Sequence, residues 1–167
     1  VGTQHHIHCV ASNQRAEILY PGVIDPELPT MEQITPPTLI DLGVHRFVGV
    51  AAGSNHACGL NVAGEVICWG ERSAGAVGDC QNDQFGTGYE KVKKRTPNNE
   101  AVVLSNVRSI ASYKETTCAV THSGSVYCWG AGDDGQREED APANCATQPA
   151  AEVLQNIENV SVGDQFI

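Results

Sequence analysis

The sequence predicts an all-β fold, and three observations carry that prediction. Apolar residues show no sustained helical periodicity. Short β-branched runs such as Val48-Gly49-Val50 and Glu65-Val66-Ile67 sit between Gly, Asn, Pro and Ser clusters, the pattern of short strands joined by tight turns. One stretch also occurs twice: Cys58 to Gly70 recurs as Cys118 to Gly130, with every shared residue displaced by 60 and no gap. The rest of the chain reads as flanks and imperfect copies of this repeat.

Composition narrows the class. The 167 residues are 41% hydrophobic but only 5% aromatic, which favours several small cores of Val, Ile, Leu and Ala over one aromatic-rich core. A formal net charge of -10 argues against sequence-independent nucleic-acid binding, which needs clustered Lys and Arg. The basic run Lys91-Val92-Lys93-Lys94-Arg95 stands against that trend and reads as a solvated loop, with an acidic partner as the alternative. Seven Cys, two of them recurring at fixed positions, point to an oxidising compartment, extracellular or at the cell surface. No apolar run reaches the roughly 18 residues of a membrane span. No signal peptide is visible at Val1-Gly2-Thr3-Gln4, so the expectation is a mature or excised piece of a larger secreted chain.

Residues 1–46 read as a degenerate first unit, with Pro21, Pro26, Pro29, Pro36 and Pro37 marking a loop that cannot be a helix or a central strand. His5, His6 and His8 beside Cys9 invite a metal reading. Three His within four residues cannot all face one side of a strand, and no second cluster completes a site, so no metal is expected. The repeat is clear over 47–106 and 107–156, and 157–167 begins a further copy. Within one unit, strands are expected at Val102 to Leu104, Val107 to Ala111, Thr117 to Val120 and Ser125 to Trp129. Long variable loops, 71–96 and 131–148, separate Trp-Gly from the next apolar strand. Leu104-Ser105-Asn106-Val107 and Leu154-Gln155-Asn156-Ile157 are the same turn.

This unit resembles the regulator of chromosome condensation repeat. His56, Gly64, Trp69, Gly70 and Gly75 match its pattern in one copy, and Gly124, Trp129, Gly130, Gly135 and Gln136 in the next. The resemblance covers roughly residues 44–167 and implies β-propeller blades, each a four-stranded antiparallel sheet, with about three blades of a larger propeller in this chain. The Cys-containing form is similar to extracellular versions such as the ectodomain repeats of plant crinkly receptor kinases. Thr116 stands where the pattern has His, Tyr113 where it has Gly, and the first unit lacks the Trp.

Physical reasons for the repeated residues stand beside the resemblance. In a hairpin centred on Ala63, Cys58 faces Cys68; a centre at Ser123 does the same for Cys118 and Cys128. Opposed Cys in a non-hydrogen-bonded pair lie about 4.5 Å apart at Cα, near the short end of disulfide geometry, so each pair reads as a stapled hairpin, with two reduced core thiols as the alternative. Trp69 and Trp129 follow the second Cys and point to the opposite face, where they fill the space between blades or, on a second reading, stack on a ligand. Gly64 and Gly124 end the hairpin turns, where positive φ is cheap. Cys80 and Cys145 sit in equivalent loops and pair with each other, or one pairs with Cys9; seven is odd, so one thiol is left over.

No phosphate loop, nucleophile elbow, His-Glu-x-x-His or cofactor motif appears, so no catalytic residue is assigned and no enzyme is expected. The acidic stretch 132–140 does not follow the Ca²⁺-loop order. Asn159-Val160-Ser161 is the only N-glycosylation sequon. The expected function is a non-enzymatic extracellular propeller module for protein-protein interaction or structural assembly. Its partners are other protein chains or further blades, with copies of the chain stacking into a fibre as an alternative. A secreted inhibitor similar to the propeller-type β-lactamase inhibitor would need aromatic loop residues, of which Phe85, Tyr89 and Tyr113 are few. Disulfide-type Cys and the lack of a matching catalytic segment argue against a nucleotide exchange factor.

Overall fold

A computed structural model of the protein describes residues 7–9, 38–40, 46–80, 89–131, 145–146 and 156–163. Within these, secondary structure is strand throughout, apart from one 3₁₀ turn at Ser73–Gly75. β1 (Ile7–Cys9) pairs antiparallel with β2 (Thr38–Ile40). β3 (Phe47–Ala52), β4 (His56–Asn61), β5 (Val66–Gly70) and β6 (Tyr89–Lys91) form a four-stranded antiparallel sheet in sequence order. β7 (Lys93–Arg95) and β8 (Ala101–Val103) form a separate hairpin. β9 (Val107–Tyr113), β10 (Thr116–Thr121) and β11 (Val126–Gly130) rebuild the first three strands of the four-stranded sheet.

The two long hairpins form for local reasons that the repeat duplicates. In the first, Asn61 Oδ1 accepts from the backbone N–H groups of Ala63 and Glu65 at 3.0 and 2.9 Å, and Gly64 turns the chain at φ 75°. In the second, Thr121 Oγ1 accepts from the Ser125 N–H at 3.1 Å, and Gly124 has φ 79°. A side-chain acceptor at the first turn position and a left-handed glycine at its end fix the register. Cys58 therefore lies opposite Cys68, and Cys118 opposite Cys128.

The period of two along each strand separates two faces. On one face Cys58, Cys68, Leu60 and Val66 are buried with Val107 and Ala119 of the next repeat, and Ile110 packs against them. The packing recurs one repeat later, where Cys118, Val120, Val126 and Cys128 take Ile157, Val160 and Val162 against them. Each Cys-bearing face thus seats the first strand or segment of the following unit, which is sheet-on-sheet stacking repeated along the chain.

Two expectations are corrected. The run Val102 to Leu104 does not join the sheet of the following unit; Ala101–Val103 pairs with Lys93–Arg95, and the fourth strand of the sheet is Tyr89–Lys91, on the far side of Trp69. The basic run is not a solvated loop. Val92 within it is fully buried, and its N–H donates to Val66 O at 2.9 Å while its carbonyl accepts from Leu104 N–H at 2.8 Å. Burial of Val92 and of Leu104 draws both segments inward, leaving the Lys side chains half-buried.

Candidate functional site

The variable segments after Trp69 are drawn into a seam between repeats. Asp79 bridges antiparallel to Cys145, and Lys94 bridges parallel to Ala146, so a piece of the later unit is held between two pieces of the earlier one. Backbone bonds tie the layers: Lys93 N–H donates to Gly78 O at 2.7 Å and Ala146 N–H to Lys93 O at 2.8 Å. Cys80 is bonded to Cys145 across this seam, joining residues 65 apart. Arg72 and Asp79 form a buried ion pair beneath it, their side chains 6% and 1% exposed, and Glu90 lies 3.6 Å from the same guanidinium. Burying two charges is costly, so each depends on the other staying in place.

Trp129 is the apolar centre of the seam. It is fully buried, and its Nε1 donates to the Ala76 carbonyl at 3.0 Å. Its ring lies against Gly78, where a Cβ would stand 2.7 Å from Trp129 Cδ1. Gly78 also has φ 66°, so both the space and the backbone there call for glycine.

Nearer the inner strands, His56 Nε2 lies 2.7 Å from Thr117 Oγ1, and Thr117 Oγ1 lies 2.8 Å from Ser112 Oγ. Burial pulls His56 from the ordinary 6.5 down to about 4, with Glu71 opposing it. His56 Nδ1 has no hydrogen-bond partner among the described residues, so a proton added there would find no acceptor. The imidazole is therefore a neutral strut between repeats.

At the opposite end of the hairpins the repeats meet in a rim. Val107 N–H donates to Gly64 O at 2.9 Å, and Ile157 N–H to Gly124 O at 3.4 Å; Val62 N–H and His122 N–H donate to Arg46 O and Asn106 O, both at 2.8 Å. Asn106 and Asn156 hold φ values of 62° and 63°, which Asn adopts more readily than most residues. A cleft of about 200 Å³ opens at the later junction, lined by Arg108, His122, Ser123, Asn156, Ile157 and Glu158. At the earlier junction the places of Arg108 and His122 are taken by Val48 and Val62, 62% and 58% exposed.

The sequence-predicted residues are placed as follows. Cys58 is bonded to Cys68 and Cys118 to Cys128, each pair 4.1 Å apart at Cα. Trp69 lies in its own sheet with its ring centroid 6.2 Å from that of Phe47, while Trp129 reaches the preceding unit. Asn159 is exposed, as is Ser161. Lys91 pairs with Glu65 at 2.9 Å, Lys94 Nζ lies 3.1 Å from Tyr127 Oη and over its ring, and Arg95 Nη1 donates to Asn99 O at 2.9 Å, so three of the four basic side chains of the run are engaged within the chain. No group of three or more metal-ligating side chains occurs among the described residues. The side chains of His5, His6, His8 and Cys9, the Pro-rich stretch 21–37, Phe85, and the acidic stretch 132–140 lie outside the described residues. Sequence reading missed the Arg72 and Asp79 pair, the His56 and Thr117 contact and the rim cleft. Only the shared Asn106 and Asn156, each preceding an apolar residue, carried a signal of the last.

Stacked antiparallel sheets that repeat along the chain define β-propeller blades. The pattern described as the Regulator of chromosome condensation (RCC1) repeat matches residues 47–75 and 107–136 and supports that repeat family for both units. The human E3 ubiquitin-protein ligase HERC2 is 30% identical over 116 residues, covering 69% of this chain and 2% of that protein. Human HERC3, a probable E3 ubiquitin-protein ligase, is 33% identical over 92 residues, 55% of this chain and 8% of that protein. The chain thus spans a small part of these relatives. Among solved structures, yeast RCC1 (Prp20) bound to Kap60 superposes with a TM-score of 0.54 at 18% identity, over 77% of this chain and 30% of that one. Prp20p from Saccharomyces cerevisiae, in a structure described with its binding to Gsp1p and histones, gives 0.53 at 20%, over 72% and 30%. Human WBSCR16 gives 0.53 at 15%, over 67% and 27%. These similarities establish the fold.

Proposed function

We propose that the chain is a non-enzymatic, extracellular propeller module that binds protein partners. The observation that carries this reading is the seam. Buried Trp129 and the Cys80 to Cys145 bond lock the repeats together beside the buried Arg72 and Asp79 pair of the earlier unit, so the rim stands on a rigid base and presents Val48, Val62, Arg108 and His122 outward. Rigid scaffolds with variable surface positions suit recognition. Three intrachain disulfides support an oxidising compartment. The yeast propeller of this fold is described with the proteins Gsp1p, histones and Kap60, which supports protein partners as a class. The ligase activity in the names of the human relatives belongs to chains of which this one spans 2 to 8%.

Cross-linking of the protein in its native setting, read by mass spectrometry, tests the reading. Cross-links from this chain to a second polypeptide are expected. Cross-links confined to this chain would overturn it.

Val50 favours structural assembly as a second reading. It is 58% exposed, whereas Ile110, at the equivalent place one repeat later, packs against the preceding unit. On this reading a blade from a second copy, in place of residues 1–46, would cover it. Mass photometry would then show particles that grow with concentration, and a monomer at every concentration would exclude this reading.

A further inference from the structure

The rim carries a more specific partner than the scaffold alone. Arg46, Val48, Val62, Arg108 and His122 are all exposed and lie along one edge, because Val62 is bonded to Arg46, Val107 to Gly64 and His122 to Asn106. Val48 and Val62 are two of the four exposed large hydrophobic residues among those described. They are flanked by two arginines on a chain whose net charge is -10, so this edge is a local exception to the charge of the whole.

We infer that this edge is a docking strip for an extended peptide segment carrying an apolar side chain beside an acidic one. The inference rests on the protein-binding reading above and narrows its partner. The valines offer an apolar shelf at the earlier junction, and the cleft at the next junction along the rim takes the acidic side chain against Arg108 and His122. Glu158 and Ser123 at the same cleft supply acceptors for the N–H groups of the peptide backbone that carries the acidic side chain. At about 200 Å³ the cleft is smaller than the roughly 300 Å³ at which pockets for whole small molecules begin, and matches a single side chain. Acidic character supplies the specificity through Arg46 and Arg108, the two arginines that flank the valines.

Fluorescence anisotropy of the full chain with a fluorescein-labelled hexapeptide of alternating Val and Asp tests this. Saturable binding is expected, about tenfold weaker for the same peptide with Lys in place of Asp. Arg108→Glu and Val62→Asp should each weaken it by a similar factor, while Lys114→Glu, at the other end of β9, leaves it unchanged. All three positions are exposed, so the fold tolerates them. Equal binding of the two peptides, insensitivity to both rim substitutions, or no saturable binding would overturn the docking strip. If intermolecular cross-links to a second protein persist in that event, only the strip is lost; if they too are absent, the protein-binding reading falls with it.

Discussion

Trp129→Ala should destabilise two repeats at once, because the side chain belongs by sequence to one and by contact to the other. The indole is fully buried among Val77, Val92, Leu104 and Ala146, and its N–H satisfies the Ala76 carbonyl. Truncating a buried Trp costs about 3 to 5 kcal/mol, and stranding a buried carbonyl adds about 1 to 2 kcal/mol. Trp129→Phe separates the two contributions, since it keeps most of the ring and loses the hydrogen bond; its cost should fall near 2 kcal/mol. Urea unfolding gives the totals. Hydrogen exchange gives the location: amides of Gly78 and Lys93, in the earlier unit, should lose protection along with those of β10 and β11. A cost below about 1 kcal/mol for the alanine variant, or lost protection confined to β10 and β11, would refute the reasoning.

Three further outcomes follow from the same seam. Because folded His56 sits near 4 and the unfolded residue near 6.5, the unfolded chain takes the proton first. The stability this neutral His provides is complete above 6.5 and is lost as pH falls towards 4, about 2 kcal/mol of it by pH 5; urea midpoints of wild type and His56→Gln at pH 7 and 5 should show a smaller drop in the variant. Asp79→Ala leaves Arg72 buried without its main counter-charge and should cost about 3 to 5 kcal/mol by the same assay, whereas exposed Glu100→Ala should cost under about 0.5 kcal/mol. Replacing Cys80 and Cys145 by Ser frees a loop of 65 residues, worth about 4 kcal/mol of unfolded-state entropy, against about 3 kcal/mol for the loop of 10 closed by Cys58 and Cys68. Equal losses in the two double variants would count against that ordering.

Much of the fold was legible because it is local and occurs twice. Alternating strands around Gly64 and Gly124 fix a hairpin register that each copy checks against the other, and the all-β class follows from the short β-branched runs. The repeated Val107 and Ile157, each one residue after an Asn, marked the entry to a unit. The seam was not legible. Trp129 meets Ala76 across 53 positions and His56 meets Thr117 across 61, and no residue spacing announces such a partner. The basic run misled for a related reason: Lys91, Lys93 and Lys94 look solvated in sequence, but strand direction is set by Val92 and by Leu104, which only become neighbours once β7 and β8 pair. The rim cleft combines residues from three separate segments, the start of β9, the hairpin turn at 122–124 and residues 156–158, so composition could hint at its charge but not at its shape.

Non-reducing peptide mapping of the native protein is the most direct test of the account, since one experiment reads both hairpin registers and the seam between repeats. Three linked pairs are expected, Cys58 with Cys68, Cys118 with Cys128, and Cys80 with Cys145. Free thiols at these positions, or Cys80 or Cys145 linked to Cys9, would contradict it.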